Sequence, residues 1–195
     1  MLKHRGTAII ETPRLIIRQF TTDDAEAMFR NWANDPEVTK YLTWPTHGSV
    51  EITKKVVESW VKSYEKEDYY HWAITLKENG SEPIGSLLAS TDDRIEKAHI
   101  GYCIGKNWWR RGITSEALQA VMDFLFDEVG CNRVDSRHDV NNPNSGKVMA
   151  KCGMKLEAIT RQSDWNNQGI CDTCHYALLA EERKRPLLGG AVKNL

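Results

Sequence analysis

The chain has 195 residues, a formal net charge of −1 and hydrophobic residues at 41% of its positions. This length can bury a sizeable core, so we expect one domain over residues 1–185 and a flexible tail over residues 186–195. The balance of acidic and basic residues argues against a nucleic-acid partner, which usually needs a basic excess. No apolar run is long enough to cross a bilayer and the start lacks a secretory signal, so a cytoplasmic location is expected. Five cysteines, an odd number, fit reduced thiols better than a disulfide framework.

The predicted elements run in the order strand, two helices, three strands, helix, strand, helix and two strands. Residues 14–18 form the first strand, and the hydroxyl and acidic residues 21–24 begin the first helix. The second helix covers residues 50–62. Its apolar residues fall on one stripe: Ile52, Val56, Val57, Trp60 and Tyr64. Two hairpins follow, with turns near residues 78–81 and 92–94.

A glycine within a basic turn then joins an apolar strand, residues 99–104, to a helix that begins near Gly112. The apolar residues of this helix recur every four positions: Ile113, Ala117, Val121, Leu125 and Val129. The first turn of a helix has unpaired N–H groups and the positive end of the dipole, so it stabilises an anion. Gly112 allows close approach, and Arg110 and Arg111 add positive charge. The pattern favours a phosphate site, although a glycine here also suits an ordinary connection.

A second unit of strand, loop and helix follows, from residues 133–136 into the sequence NPNSGKVMAKCGM over residues 142–154. Together with WWRRGITSEA over residues 108–117, it resembles the GNAT superfamily of acetyl-coenzyme A-dependent N-acetyltransferases. In that superfamily the phosphate turn reads Arg/Gln-x-x-Gly-x-Gly/Ala, and the later helix opens with Asn-x-x-Ser/Ala and ends in Lys-x-Gly-Phe. Both motifs are matched, in order.

The resemblance covers nearly the whole chain and is nearest to the branch that contains the ribosomal-protein serine and alanine N-terminal acetyltransferases. Further segments resemble strands of that branch: residues 11–18, 83–87, 98–102 and 169–178. Two positions depart from the pattern, since Trp109 lies where many relatives have Arg or Gln and Thr114 where Gly or Ala is usual. Backbone donors do not depend on side-chain identity, so we expect coenzyme binding to survive.

The resemblance implies an α/β (α+β) GNAT fold. Its mixed, mostly antiparallel sheet has seven strands, is splayed between the fourth and fifth, and carries about four helices. The implied reaction moves an acetyl group from acetyl-coenzyme A, as co-substrate and without a metal, to a primary amine, by direct attack in a ternary complex. The favoured acceptor is the N-terminal α-amine of a protein or peptide. The alternatives are a small amine (aminoglycoside, polyamine or amino acid) or a non-catalytic acyl-coenzyme A-binding module. A monomer or homodimer is expected.

By the same resemblance, the strand before the phosphate turn carries a bulge and parts from its neighbour. Its exposed backbone would donate to the pantetheine and to the thioester carbonyl near Cys103 and Ile104, while Asn142 would hold the coenzyme's amide groups. The expected coenzyme contacts are Cys103, Ile104, Arg110, Arg111, Gly112, Ile113, Thr114, Ser115, Asn142 and Ser145.

The acid and the base are less defined. Many members of the superfamily have a tyrosine where this chain has Met149, whose thioether cannot donate a proton. Ser145 is therefore the candidate acid, with helix capping or pantetheine binding as the alternative. His99 is the first candidate base, because histidine titrates near neutrality, provided that its face of the strand borders the cleft. An ordered water is the alternative, and weaker candidates are Glu96, His71 and His138.

Aromatic residues cluster where the family binds its acceptor. Trp32, Tyr41 and Trp44 lie in or beside the segment between the first two helices, and Trp165 lies in the last hairpin loop. We expect the first three to line the acceptor pocket. The alternative is that Trp32 and Trp44 anchor the core or a loop.

The sequence CDTCH over residues 171–175 matches the c-type haem attachment pattern and contains Cys-x-x-Cys. The flanking residues predict a strand, in which positions three apart point to opposite faces. Cys171 and Cys174 therefore cannot converge on one ion, and we expect neither metal nor haem.

Overall fold

The computed structural model describes residues 1–183, which form one mixed sheet with helices on both faces. The strands are β1 (Ile10–Glu11), β2 (Leu15–Arg18), β3 (Tyr70–Leu76), β4 (Pro83–Asp92), β5 (Lys97–Ile104), β6 (Arg133–Asp139), β7 (Lys155–Asn166) and β8 (Gly169–Leu179). The α-helices are α1 (Ala25–Met28), α2 (Pro36–Thr39), α3 (Val50–Ser63), α4 (Ile113–Phe124) and α5 (Pro143–Lys151). Wider π-helical turns extend α1 to Ala33 and α4 to Val129.

The strands are ordered β1-β2-β3-β4-β5-β6-β8-β7. Every neighbouring pair is antiparallel except β5 and β6, which are parallel, so the predicted mixed, mostly antiparallel sheet is confirmed. Strand β4 pairs with β5 in an unbroken register from Gly85↔Ile104 to Asp92↔Lys97. The bulge expected in the strand before the phosphate turn is therefore not found in its pairing with β4.

Strands β5 and β6 pair over a short stretch and then part. Their pairing runs from Lys97↔Arg133 to His99↔Asp135. Just beyond it, the Ser136 hydroxyl donates to the carbonyl of Ile100 at 2.7 Å. These are the fourth and fifth strands of the predicted order, so the predicted splay is confirmed. The backbone of residues 101–104 has a strand partner in β4 and none on the β6 side.

Helix α4 packs on one face of the sheet because every fourth residue is apolar. The predicted stripe is confirmed, since all its members are at most 2% exposed: Ile113, Ala117, Val121, Leu125 and Val129. Helix α5 lies beside α4, where Met149 and Cys152 join the same core. Burial of each larger aliphatic side chain contributes roughly 1.5–3 kcal/mol, so the start of α4 is firmly held.

Helices α1 and α3 cover the opposite face. The second core consists of Phe20, Ala25, Met28, Trp32, Ala33, Val57 and Ala73. The buried side of α3 differs from the predicted stripe, because Thr53 is fully buried whereas Ile52 is 46% exposed. Thr53 is accommodated inside because its hydroxyl lies 2.7 Å from Nδ1 of His47. A paired polar side chain thus occupies a position that hydrophobicity alone assigns to solvent.

Within residues 1–183 the sheet has eight strands, and the prediction of seven was wrong by one. The extra strand is β1, which pairs antiparallel with β2. Pro13 has no N–H to donate, and the chain turns where the Thr12 N–H donates to the carbonyl of Leu15 at 3.1 Å. The segment that resembles a single opening strand is therefore broken by a tight turn.

The described part of the chain has five α-helices, against a predicted count of about four. The additional helix is α2, whose first residue is Pro36. The Asp35 carboxylate caps it by accepting from the N–H of Glu37 at 2.8 Å. The sequence analysis did not predict this helix, although an Asp cap before a Pro at the first helical position favours one.

No helix in the part of the chain that the structure describes is long and apolar enough to span a membrane. The predicted tail, residues 186–195, lies outside the described residues, as do the last residues of the predicted domain, 184–185. The single domain, the cytoplasmic location and the monomer or homodimer stay predictions.

Candidate active site

Beside the gap between β5 and β6, the two faces of the sheet carry different side chains. Cys103 packs against the core beneath α1 and α3. His99 alternates with Cys103 at even spacing along β5, so both lie on this face, here called the cleft face. Tyr102 belongs to the opposite face, which is covered by α4 and α5. Ile104 closes the strand and is 8% exposed, so the backbone rather than the side chain is open to a ligand at this point.

The predicted phosphate turn lies at the end of β5. Gly112 is the N-cap of α4 and has a left-handed backbone, with φ +73°. Arg110 is also left-handed, with φ +61°, which is uncommon for a residue with a Cβ. Two residues with left-handed backbone conformations in one short turn are typical of a ligand-binding loop.

The side chains of the turn divide into solvent-facing and buried groups. Arg110 and Arg111 are exposed and Thr114 is half-buried, whereas Ile113 is in the core and Ser115 is 9% exposed. Ile113 and Ser115 can therefore meet a ligand through their N–H groups only. Trp109, at a position that departs from the family pattern, donates its indole N–H to the carbonyl of Ile104 at 2.9 Å. It thereby fixes the end of β5 against the turn.

Cationic side chains border the space above Gly112. A Cβ placed on Gly112 would lie 3.6 Å from Nζ of Lys151 and 3.7 Å from Nη2 of Arg14. A cavity of about 200 Å³ beside the turn is lined by Arg14, Lys77 and Arg111 among others. The unpaired N–H groups, the open space and the positive charge suit a diphosphate, so the residues fit coenzyme A. Sequence reasoning missed Arg14, Lys77 and Lys151 because they come from distant parts of the chain.

Ser145 and Asn142 lie at the start of α5. Asn142 is the N-cap, and its carbonyl accepts from the N–H of Ser145 at 3.1 Å. Ser145 is inside the first turn, and its hydroxyl oxygen lies 3.0 Å from the phenol oxygen of Tyr102. The capping alternative for Ser145 therefore does not match the structure. Gly146 is required next to it, because a Cβ there would lie 2.5 Å from Nε2 of His138.

The candidate base His99 is at the last paired position of β5 and β6. Its Nδ1 lies 2.5 Å from a carboxylate oxygen of Asp135, and its side chain is 31% exposed. Burial raises the pKa of Asp135, but hydrogen bonds and charge from His99 and Lys97 outweigh that effect, so the pKa is lowered and the group is ionised. An Nδ1–H donated to Asp135 leaves the lone pair on Nε2, which is the arrangement of a general base.

The weaker base candidates lie elsewhere. Glu96 is at the opposite end of β5, where it binds the N-terminal amine of Met1 at 2.6 Å. His71 is packed with Phe20 and Trp60, and burial lowers its pKa to about 3. His138 is on the α5 side of β6, where its Nδ1 donates to the carbonyl of Asp139 at 2.8 Å. None of the three shares the cleft beside Cys103.

Of the three residues expected in the acceptor wall, Trp32 does not fit, and the role of Tyr41 and Trp44 stays a prediction. Trp32 is fully buried in the second core, so it cannot line an open pocket. Tyr41 and Trp44 are half-buried on the segment between α2 and α3. The Asn167 side chain ties this segment to the β7–β8 turn by donating to the carbonyls of Thr39 and Trp44, each at 2.8 Å. Sequence reasoning missed this link because it spans more than half of the chain.

Two carboxylates lie on the cleft face beside Cys171. Asp139 and Asp164 both act on the Cys171 thiol and, after burial, raise its pKa. Asp164 pairs with Nε of Arg137 at 2.6 Å. Burial raises the pKa of Asp139, but hydrogen bonds to Asn141 and Asn166 overcome it, so the pKa is lowered and Asp139 is charged at neutral pH. Arg137 balances one of the two carboxylates, so this part of the face keeps a net negative charge and is suited to a cation.

The two cysteines of the CDTCH sequence lie on opposite faces of β8, as expected. Cys171 is opposite Asp164 of β7, whereas Cys174 is opposite His138 of β6 on the other face. Within residues 1–183, no group of three or more His, Cys, Asp or Glu side chains is arranged to hold a metal.

The comparisons with known proteins agree with this geometry. A family model described as "Acetyltransferase (GNAT) domain" matches residues 14–155. An uncharacterized N-acetyltransferase of Bacillus subtilis, YoaA, is 31% identical over 172 residues, which are 88% of this chain and 96% of YoaA. The ribosomal-protein-serine acetyltransferase of Escherichia coli is 28% identical over 144 residues, which are 73% of this chain and 79% of that enzyme.

Solved structures show the same fold. RimL, the ribosomal L7/L12 α-N-protein acetyltransferase in complex with coenzyme A, has a TM-score of 0.79 at 22% identity, over 90% of this chain and 100% of that chain. A GNAT acetyltransferase of Bacillus anthracis has a TM-score of 0.78 at 24% identity, over 89% of this chain and 99% of that chain.

A mixed sheet that parts between β5 and β6, with the predicted phosphate turn at the end of β5, is the fold expected of an acyl-coenzyme A-dependent enzyme. The chain belongs to the GNAT acetyltransferase family and is an acetyl-coenzyme A-dependent N-acetyltransferase. Acetyl-coenzyme A is its co-substrate, and it acts on an amine.

Proposed function

We propose that the acceptor is the N-terminal α-amine of a protein or peptide. Support comes from the cleft face, where the carboxylates of Asp139 and Asp164 lie on the same side of the sheet as Trp44, which belongs to the same segment as Tyr41. An ammonium group is attracted to the carboxylates, and a peptide chain suits a wall of aromatic and backbone groups. The ribosomal-protein-serine acetyltransferase of Escherichia coli, named for a protein acceptor, is similar over 73% of this chain.

Deprotonation of the amine is assigned to His99, held by Asp135. A strand rises about 3.3 Å per residue, so the four residues from His99 to Cys103 span roughly 13 Å. If the thioester carbonyl lies near Cys103, the proton passes from the amine to His99 through a chain of several waters, because each hydrogen bond covers only about 2.8 Å. Asp135 keeps Nδ1 protonated and stabilises the imidazolium that forms, which is a positioning role.

The coenzyme supplies an acetyl group activated as a thioester. The contacts assigned to it are the backbone of Cys103 and Ile104, the turn from Arg110 to Ser115, and Asn142 with Ser145. A backbone N–H directed at the thioester carbonyl stabilises the charge that develops there and contributes about 3 kcal/mol. Ser145 is assigned the hydrogen bond to the sulfur that leaves.

The first experiment measures free thiol released from acetyl-coenzyme A with a matched set of acceptors. One peptide begins with Ser, a second is the same peptide with its α-amine already acetylated and an internal Lys intact, and the others are aminoglycosides, polyamines and free amino acids. Turnover with the first peptide and not the second is the expected result. Turnover with a small amine and with neither peptide would refute the proposal and give the small-amine alternative.

A variant pair tests the carboxylates. Asp164→Asn should raise KM for the peptide about tenfold, or ~1.4 kcal/mol, and leave KM for acetyl-coenzyme A unchanged. Asp172→Asn is the control, because Asp172 is next to Cys171 on β8 but belongs to the opposite face, where it accepts from the N–H of Gln162. Equal effects of both variants would show that the acceptor is not attracted by the cleft-face charge.

A further inference from the structure

Tyr102 and Ser145 are joined by two contacts, although 43 positions separate them in the chain. The Tyr102 phenol oxygen lies 3.0 Å from the Ser145 hydroxyl oxygen and 3.0 Å from the Ser145 carbonyl oxygen. Tyr102 comes from the part of β5 that has no β6 partner, and Ser145 lies in the first turn of α5. One phenol therefore holds both the backbone and the side chain of the residue assigned to the coenzyme's sulfur.

This contact changes what the serine hydroxyl can do. A serine within a helix often donates its proton to a carbonyl of the preceding turn, which makes the hydroxyl unavailable to a ligand. In the described part of the chain, the hydroxyl of Ser145 is bonded to Tyr102 instead. While the phenol donates to the Ser145 carbonyl, its oxygen accepts from the Ser145 hydroxyl, which fixes the rotamer of Ser145. When the phenol proton turns to the serine oxygen instead, the serine proton can turn to a second acceptor.

The phenol keeps its proton at neutral pH. Burial raises the pKa of Tyr102, and the hydrogen bond with Ser145 offsets only part of that effect. Tyr102 is therefore a donor throughout the neutral range rather than an acid that ionises. The superfamily often places a tyrosine at the position of Met149, on α5; here the tyrosine hydroxyl nearest to the serine comes from β5.

We infer that Tyr102 is a positioning residue that directs the Ser145 hydroxyl to the sulfur of coenzyme A, so that the departing thiolate receives a hydrogen bond. This inference rests on the role of Ser145 under the proposed function. As the amine nitrogen bonds to the acetyl carbon, the C–S bond breaks and its electron pair leaves with sulfur. The proton released by the amine balances the charge of the thiolate. Until that proton arrives, Ser145 donates to sulfur, while the single Tyr102 proton turns from the Ser145 carbonyl to the Ser145 hydroxyl oxygen. In that arrangement each of the two bonds strengthens the other.

The decisive measurement is the pKa of the coenzyme A thiol in its complex with the enzyme, from the ultraviolet absorbance of the thiolate during a pH titration. In the unmodified protein the pKa of the bound thiol should lie below that of free coenzyme A. Tyr102→Phe and Ser145→Ala should each raise it by about one unit, and the double variant should raise it no further. Tyr176→Phe is the matched control, since its phenol also lies beside Gly146 beneath α5. It should leave the thiol pKa unchanged.

Turnover should follow the same pattern. Tyr102→Phe should lower kcat about tenfold with less than about a twofold change in KM for acetyl-coenzyme A, and should add nothing in the Ser145→Ala background. Thermal melting of each variant establishes that it is folded. An unshifted thiol pKa in Tyr102→Phe, or effects that multiply in the double variant, would overturn the inference.

The two proposals fail separately. The titration of bound coenzyme A requires no acceptor, so the wrong choice of acceptor amine leaves its result intact and the Tyr102 inference supported. Conversely, turnover with the Ser peptide together with an unshifted thiol pKa would overturn the role of Tyr102 alone.

Discussion

Arg14 donates to the backbone carbonyl of Arg111 at 3.1 Å and from Nε to the carboxylate of Glu116 at 2.6 Å. The first residue before β2 is therefore tied to both sides of the phosphate turn. Glu116 also accepts from the Thr12 hydroxyl at 2.6 Å. One carboxylate of the first turn of α4 therefore binds both Thr12 and Arg14. Burial raises the pKa of Glu116, but the bonds from Thr12 and Arg14 overcome it, so the pKa is lowered and the carboxylate is ionised.

This link predicts that the Arg14–Glu116 ion pair holds the phosphate turn in place, in addition to the positive charge that Arg14 supplies. Arg14→Gln should weaken coenzyme A binding about tenfold, or ~1.4 kcal/mol, by isothermal titration calorimetry. Glu116→Gln should weaken it too, because the turn loses its anchor, although loss of a negative charge alone would strengthen it. Arg94→Gln is the control, since Arg94 forms an exposed pair with Asp92 in a different turn. Tighter binding by Glu116→Gln would show that Arg14 acts through its charge alone.

Gly112 and Gly130 offer a matched pair at the two ends of the helix that begins with α4. Both are left-handed, with φ +73° and +83°, and an added Cβ meets no atom closer than 3.6 Å at Gly112 and none within 4 Å at Gly130. Alanine at either position should therefore cost a similar ~1–2 kcal/mol of stability. Gly112→Ala alone should weaken coenzyme A binding, at least about tenfold by calorimetry, because the methyl group enters the space bordered by Arg14 and Lys151. Equal affinities of the two variants would remove the phosphate site from this turn.

Much of the fold follows from local pattern. The stripe from Ile113 to Val129 identifies α4 because its period matches a helix and every member is buried. Gly112 identifies the turn because a glycine just before a helix indicates a left-handed residue from the local sequence alone. The buried face of α3 could not be predicted in this way, because the contact between Thr53 and His47 lets a polar residue be buried where hydrophobicity favours an apolar one. The join of Tyr102 to Ser145 depends on how β5 and α5 meet, which spacing along the chain does not determine.

The aromatic residues show the same limit of prediction from the sequence. Trp32 and Trp44 are equally plausible as a pocket wall in the sequence, but Trp32 is fully buried and Trp44 is only half-buried. Trp32→Ala should cost about 3–5 kcal/mol of stability, measured by denaturant unfolding, because it leaves a large cavity in the second core. Trp44→Ala should cost much less and should raise KM for the peptide acceptor. Similar losses of stability in both variants would mean that Trp44 is a core residue as well.

His71 predicts a specific loss of stability in mild acid. Burial lowers its pKa to about 3 in the folded protein, against an ordinary value of about 6.5 in the unfolded chain. Between these values the unfolded chain binds a proton that the folded protein does not, so the free energy of unfolding falls as the pH falls. Stability is complete above the unfolded pKa and should drop by about 2 kcal/mol from about pH 7 to about pH 5 through this residue.

The comparison is with His71→Gln, which keeps a polar side chain of similar size but does not titrate. Urea unfolding of both proteins across that pH range should give a steeper pH dependence for the histidine form, by up to ~1.4 kcal/mol per pH unit. Few carboxylates titrate above about pH 5, so the difference between the two slopes isolates His71. Phe20, Trp60 and Tyr69 surround the ring, and none of them titrates in this range. Parallel slopes would show that the imidazole becomes protonated within the folded protein, which requires that water reach this part of the second core.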